Sequence, residues 1–91
     1  GGEEFLIIAP YSSFEALSER LETLRLAICL YQFEDKDNNK KPFTTSASFG
    51  AMIAQAGYST DLLQWVKQAD DNLYKAKETG RNKVIITDNR P

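Results

Sequence analysis

Residues 59–87 read STDLLQWVKQADDNLYKAKETGRNKVIIT, and the order of signals along them decides the fold class. Leu62, Val66, Ala69, Leu73 and Ala76 recur at spacings of four and three, the period of a helix with one apolar stripe. Ser59 and Thr60 stand where a helix N-cap belongs, and Gly80 stands where a left-handed helix stop belongs. The KVIIT that follows is short, apolar and β-branched, so it reads as a strand. A helix running through a glycine stop into a strand places α and β elements in one unit.

Working upstream, FTTSASFGAMIA (43–54) alternates in character, with Phe43, Thr45, Ala47, Phe49, Ala51 and Ile53 on one face of an expected half-buried strand. Gly50 within it points to a bulge or to close approach by other backbone. EDKDNNKKP (34–42) is a polar, turn-rich break placed to pair that strand back against CLYQF (29–33). Before it, Phe14, Leu17, Leu21, Leu24 and Ile28 mark an amphipathic helix, with Ser12 and Glu15 spaced as a capping box. EFLIIA (4–9) is continuously apolar and too short for a helix, which predicts a strand covered on both faces and ended by Pro10. The expected order is strand, helix, strand (as a hairpin), helix, strand, with no internal repeat and no linker.

Ninety-one residues make one small, thinly cored domain. An apolar share of 42% and a charged share of 26% are those of an ordinary globular chain. The net charge of −2 comes from well-mixed signs, so there is no electrostatic footprint for nucleic acid or for an anionic membrane. No apolar run approaches the roughly 18 residues of a membrane span, and no signal peptide is visible. Cys29 is the single cysteine, which excludes an intramolecular disulfide and fits a reducing, cytoplasmic setting. With no histidine, the chemistry left is that of carboxylates, Lys and Arg. DKDNN (35–39) imitates the start of a calcium loop, but Lys40 stands where that loop needs Gly and Ser46 where it needs a bidentate Glu. It reads as a solvated hairpin tip.

Two stretches carry candidate chemistry. In GGEEF (1–5), Glu3 and Glu4 reach one metal cluster only where the backbone bends, and Gly1-Gly2 supplies that bend. Glycines that let a nucleotide lie close to the main chain, beside two hard carboxylates, suit a magnesium-triphosphate site. The other reading makes Gly1-Gly2 a vector remnant and the glutamates the soluble lip of a strand. In ADDNLYKAKETGRNKV (69–84), Lys77 lies near the helix end and Arg81 four residues on, an arrangement that grips a triphosphate by point charge and by fork. Its other reading is a helix C-terminus whose cations complement the dipole.

Taken together, GGEEF, TTSASFGAMIA and ADDNLYKAKETGRNKV, in that order and with LETLRLAI between the first two, closely resemble the GGDEF domain of bacterial diguanylate cyclases. The resemblance covers essentially the whole chain. It implies an α+β fold akin to the nucleotidyl-cyclase palm, with a ferredoxin-like antiparallel or mixed sheet and the signature at a β-hairpin turn. It also implies a homodimer in which two GTP molecules, one per subunit, are joined into cyclic di-GMP with release of pyrophosphate, using Mg2+ or Mn2+. On this resemblance Gly1 and Gly2 let GTP approach the backbone. Glu3 binds metal and helps activate the attacking 3′-hydroxyl, Glu4 is a further catalytic metal ligand, and Lys77 and Arg81 hold the terminal phosphates. Asp70, Leu73, Tyr74 and Asn82 match the family's second motif as structural residues that place the helix end against the sheet.

The family's domain is close to twice this length, so residues 1–91 are expected to be its C-terminal half. The implied upstream half carries the principal metal-binding Asp, the guanine-recognising residues and an inhibitory Arg-x-x-Asp. Thr23 stands where many members have an Arg that joins in product inhibition. The 91-residue chain alone is expected to be inactive. The rival reading is a catalytically inactive GGDEF-type module that senses GTP or cyclic di-GMP, and a third is a pure interaction domain.

Overall fold

The computed structural model describes residues 4–7, 13–37, 39, 41–54 and 62–90. Its elements are α1 (Phe14–Leu30), β1 (Phe33–Asp35), β2 (Lys41–Phe43), β3 (Phe49–Ile53), α2 (Leu62–Glu78) and β4 (Val84–Asp88). β1 and β2 form an antiparallel pair, and β3 and β4 form a parallel pair. The architecture is α+β with mixed pairing and two helices, consistent with the partial palm-like fold that the resemblance implies.

The parallel pair is the structural centre. Parallel neighbours need a long crossover, and α2 is that crossover, packed on both β3 and β4. The register sets Phe49 opposite Val84 and Ile53 opposite Asp88, and the ladder is extended by Phe49 N–H donating to Lys83 O and Asn89 N–H donating to Ile53 O. The helix sits very close to β3. A β-carbon on Gly50 would stand 2.0 Å from the Leu73 nitrogen and 2.4 Å from the Ala69 carbonyl oxygen, so position 50 admits hydrogen alone. This is the close backbone approach that an interior strand glycine signals.

Among the described residues only Ile53, Asn72 and Ala76 are buried. Ala76 is fully buried because a small side chain lets the helix settle on the sheet. Asn72, 1% exposed, is the polar member of this core. Its Nδ2 donates to Ala51 O at 2.7 Å and to Thr87 Oγ1 at 2.9 Å, so one carboxamide ties α2 to both parallel strands. α1 packs against β4, and its N-cap is Ser13, whose hydroxyl accepts from Ala16 N–H at 3.1 Å. The cap therefore falls one residue after Ser12, which lies outside the described residues; Ala16 at the third helical position has no side chain to return the bond, so no capping box forms.

Three further expectations are corrected. The strand expected over 43–54 is two strands in different pairs, because β2 ends at Phe43 and residues 44–48 are irregular. β2 is fixed by the hairpin, where Phe33 faces Phe43 and their rings stack at 5.6 Å, while β3 leads into α2, which returns the chain to β4 as its parallel partner. The hairpin forms, but with shifted bounds: Cys29 and Leu30 of CLYQF end α1, and Glu34, Asp35, Lys41 and Pro42, expected in the turn, pair in the strands; in the described part of the tip Asp37 N–H donates to Asp35 Oδ1. The apolar run after the signature is not a covered strand: residues 4–7 lie in no regular element, and Phe5 is 87% and Ile7 79% exposed. A strand needs a ladder partner, and these residues have none among the described residues. Ile8 to Pro10 and the expected α2 cap at Ser59 and Thr60 lie outside the described residues.

Gly50→Ala forces α2 away from β3 and lowers stability by about 3 kcal/mol or more, at the upper end of overpacking. Asn72→Ala leaves the Ala51 carbonyl and the Thr87 hydroxyl without their donor and costs about 2 kcal/mol, against about 1 kcal/mol for Thr87→Val. Urea denaturation of the three variants beside the parent protein checks both the values and their order.

Candidate functional site

The site is built around the C-terminal end of α2. Gly80, with φ of 120°, takes the left-handed stop position, and Arg81 N–H donates back to Ala76 O at 2.8 Å, the long bond of a Schellman motif. The turn then continues through two further left-handed residues, Arg81 at φ 62° and Asn82 at φ 50°. A left-handed backbone costs an ordinary residue on the order of 1 kcal/mol or more, and asparagine less, so this turn is held by its surroundings.

Three contacts hold it. Asn82 N–H donates to Ser48 Oγ at 3.0 Å, which anchors the turn to the segment before β3. Asn82 Oδ1 accepts from Arg25 Nη1 at 2.9 Å, and the same nitrogen faces the Asn82 carbonyl oxygen at 3.4 Å. Arg25 is in turn held by Glu22, whose Oε1 accepts from Nε at 3.0 Å and also from Nη2. The hydrogen bonding within this pair lowers the pKa of Glu22 and raises that of Arg25, so both stay charged.

Of the predicted site residues, Gly1, Gly2 and Glu3 lie outside the described residues. Glu4 and Lys77 are brought together: Lys77 Nζ donates to Glu4 Oε2 at 2.8 Å, joining residues 73 apart in sequence. The hydrogen bond and charge of Lys77 hold the Glu4 carboxyl below the usual carboxylate range. Arg81 is exposed, just beyond the helix stop. Because α2 ends at Glu78, its position relative to Lys77 follows from the left-handed turn and not from an i,i+4 helical step. Asp70 and Tyr74 are exposed on α2, so they do not seat the helix on the sheet, whereas Leu73 meets β3 at Gly50 and Asn82 binds both α1 and the segment before β3.

Sequence reasoning overlooked Asn72, Arg25 and Ser48. Two of them had a visible signal. Asn72 interrupts the apolar stripe of α2 between Ala69 and Ala76, and Arg25 lies on the inner side of α1, four residues after Leu21 and three before Ile28. Ser48 had none.

A hard divalent cation such as Mg2+ or Mn2+ takes one or two protein carboxylates together with phosphate oxygens. The Glu4 carboxylate, ionised and partly exposed, fits that donor set in kind, and Lys77 beside it balances charge around a phosphate-bearing ligand. No group of three His, Cys, Asp or Glu side chains among the described residues is arranged to hold a metal ion by protein ligands alone. No described helix is long and apolar enough to cross a membrane.

Since the folded pKa of Glu4 is depressed, the Glu4–Lys77 pair stabilises the fold above the unfolded carboxyl value of 4.5, and that contribution is lost as pH falls through the lower folded value. In a carbon-detected NMR titration, Lys77→Met moves the Glu4 midpoint upward to the ordinary carboxylate range, while Lys75→Met leaves it in place.

Comparison with known proteins follows the same line. Residues 1–83 match the family described as "Diguanylate cyclase, GGDEF domain". The chain is 35% identical over 85 residues to diguanylate cyclase VdcA of Vibrio cholerae, covering 93% of this chain and 24% of that protein. It is 33% identical over 86 residues to diguanylate cyclase DgcP of Pseudomonas aeruginosa, covering 94% of this chain and 12% of that protein. Against diguanylate cyclase DgcM of Escherichia coli it is 32% identical over 85 residues, covering 93% and 19%. The chain thus spans a quarter or less of the length of these relatives. No solved structure matches at the same level of significance. With its family match extending from Gly1 to Lys83, this chain belongs to the GGDEF, or diguanylate cyclase, family.

Proposed function

We propose that residues 1–91 are the C-terminal half of a GGDEF catalytic domain that, as a homodimer, condenses two GTP into cyclic di-GMP. The observation that carries this reading is the 2.8 Å contact between Glu4 of the signature and Lys77 of α2, which unites an acidic and a cationic group from opposite ends of the chain. In this reading Gly1 and Gly2 admit the nucleotide close to the backbone. Lys77 and Arg81 hold the terminal phosphates, Lys77 as a point charge and Arg81 by its fork. Glu3 and Glu4 would hold the Mg2+ or Mn2+ ion, which when bound supplies charge neutralisation at the phosphate oxygens.

Each 3′-hydroxyl attacks the α-phosphorus of the other GTP. A phosphodiester P–O bond forms, the bond to the β-phosphate oxygen breaks, and pyrophosphate leaves with that oxygen's electron pair. Glu3 helps to take up the hydroxyl proton. The phosphate-binding cations lower the energy of the charge that builds on the leaving group. The described core of three buried residues, and the exposure of Phe5 and Ile7, support a further layer supplied by the rest of the domain. The domain is read as cytoplasmic.

Glu3→Ala in the full-length protein lowers cyclic di-GMP formation by a factor on the order of 10² to 10⁴, with its circular dichroism spectrum unchanged. An undiminished rate would instead support the sensing module. The 91-residue chain alone, incubated with GTP and magnesium, yields no dinucleotide on chromatography, and turnover by it would overturn the half-domain reading.

A further inference from the structure

We propose that Arg25 is a positioning residue for Arg81: from α1 it clamps Asn82 and thereby holds the left-handed turn that carries Arg81 to the phosphates. This rests on the reading of Arg81 as a phosphate-binding residue.

Three observations combine. First, the helix stop needs only Gly80 in the left-handed region, since the Arg81 N–H to Ala76 O bond already completes it. The left-handed backbone at Arg81 and Asn82 is additional, and strain of this kind persists only where the surroundings impose it. Second, what imposes it lies on other elements. Ser48 takes the Asn82 N–H, and Arg25, 57 residues away in sequence, binds the Asn82 side chain and approaches its carbonyl oxygen. Third, Arg25 is itself locked. Its side chain is 16% exposed, and Nε and Nη2 are both engaged by Glu22 while Nη1 is directed to Asn82. A guanidinium serves two partners at once through its rigid fork, whereas a lysine ammonium at the same place is a single point on a flexible stem. Position 25 thus sets the geometry of a turn that includes Arg81, itself an exposed residue.

Steady-state kinetics of the full-length cyclase with magnesium-GTP test the clamp, with thermal melts to verify folding. Arg81→Ala reports on the phosphate reading and raises the KM for GTP. Arg25→Lys is expected to raise KM by between about 10- and 100-fold, the cost of misplacing a binding group, with kcat reduced far less. Combining Arg25→Lys with Arg81→Ala adds nothing to the effect of Arg81→Ala, because the first variant acts through the second residue. Asn82→Gly, which accepts positive φ, raises KM less than Asn82→Ala, which resists it. A crystal structure of the Arg25→Lys protein is expected to show Arg81 outside the left-handed region.

If Arg81→Ala raises KM while Arg25→Lys leaves both KM and the turn unchanged, the clamp is wrong and the phosphate reading stands. If the effects of Arg25→Lys and Arg81→Ala on KM multiply, the clamp is equally wrong. If Arg81→Ala leaves KM unchanged, the phosphate reading falls and takes the clamp's function with it.

Discussion

The seat of α2 on β3 at Gly50 is the constraint on which the rest of this structure depends. Helix backbone comes within van der Waals reach of strand backbone there, and nothing larger than hydrogen fits between them. Close approach explains why the inner face of α2 carries Ala69, Asn72 and Ala76 where a larger core would use Leu or Phe. It also explains why a carboxamide belongs there. With the helix this close, Asn72 reaches a main-chain carbonyl on β3 and a hydroxyl on β4, and its polar group is satisfied where water is excluded.

Once α2 is seated, its C-terminal end is placed, and the candidate site follows from that placement. Lys77 lies in the last turn, where a cation is also favoured by the helix dipole, and it meets the Glu4 carboxylate that follows the signature glycines. The dipole by itself accounts for a cation at this helix end, whether or not that cation also meets a phosphate. From Gly80 the chain spends three successive residues at positive φ, and the contacts that hold the turn come from α1 and from the segment before β3. The turn thus joins both helices and the parallel strand pair.

The exposed run at Phe5–Ile7 shows the other side of this economy. A continuously apolar segment predicts burial on both faces, but burial requires neighbours, and the described elements offer it no ladder. The same holds for α1, which buries no residue completely although its stripe has the proper period. Periodicity tells which face of an element is apolar; it does not supply the surface that covers it.

Local physical chemistry made much of this legible in the sequence. The period of three and four from Leu62 to Ala76, the stop at Gly80, the β-branched run after it, the hairpin tip and the meaning of Gly50 all follow from propensity, side-chain spacing and steric limits acting over a few residues. The resemblance pointed to GGEEF together with Lys77 and Arg81; of these the structure joins Glu4 to Lys77, while Gly1, Gly2 and Glu3 lie outside the described residues. Only tertiary structure decided that residues 43–53 split between an antiparallel and a parallel pair, that Asn72 is the polar bolt of the core, and that Arg25 and Ser48 grip Asn82. These depend on contacts between residues tens of positions apart, whose distances are set by how whole elements pack and leave no mark in the local pattern of the chain.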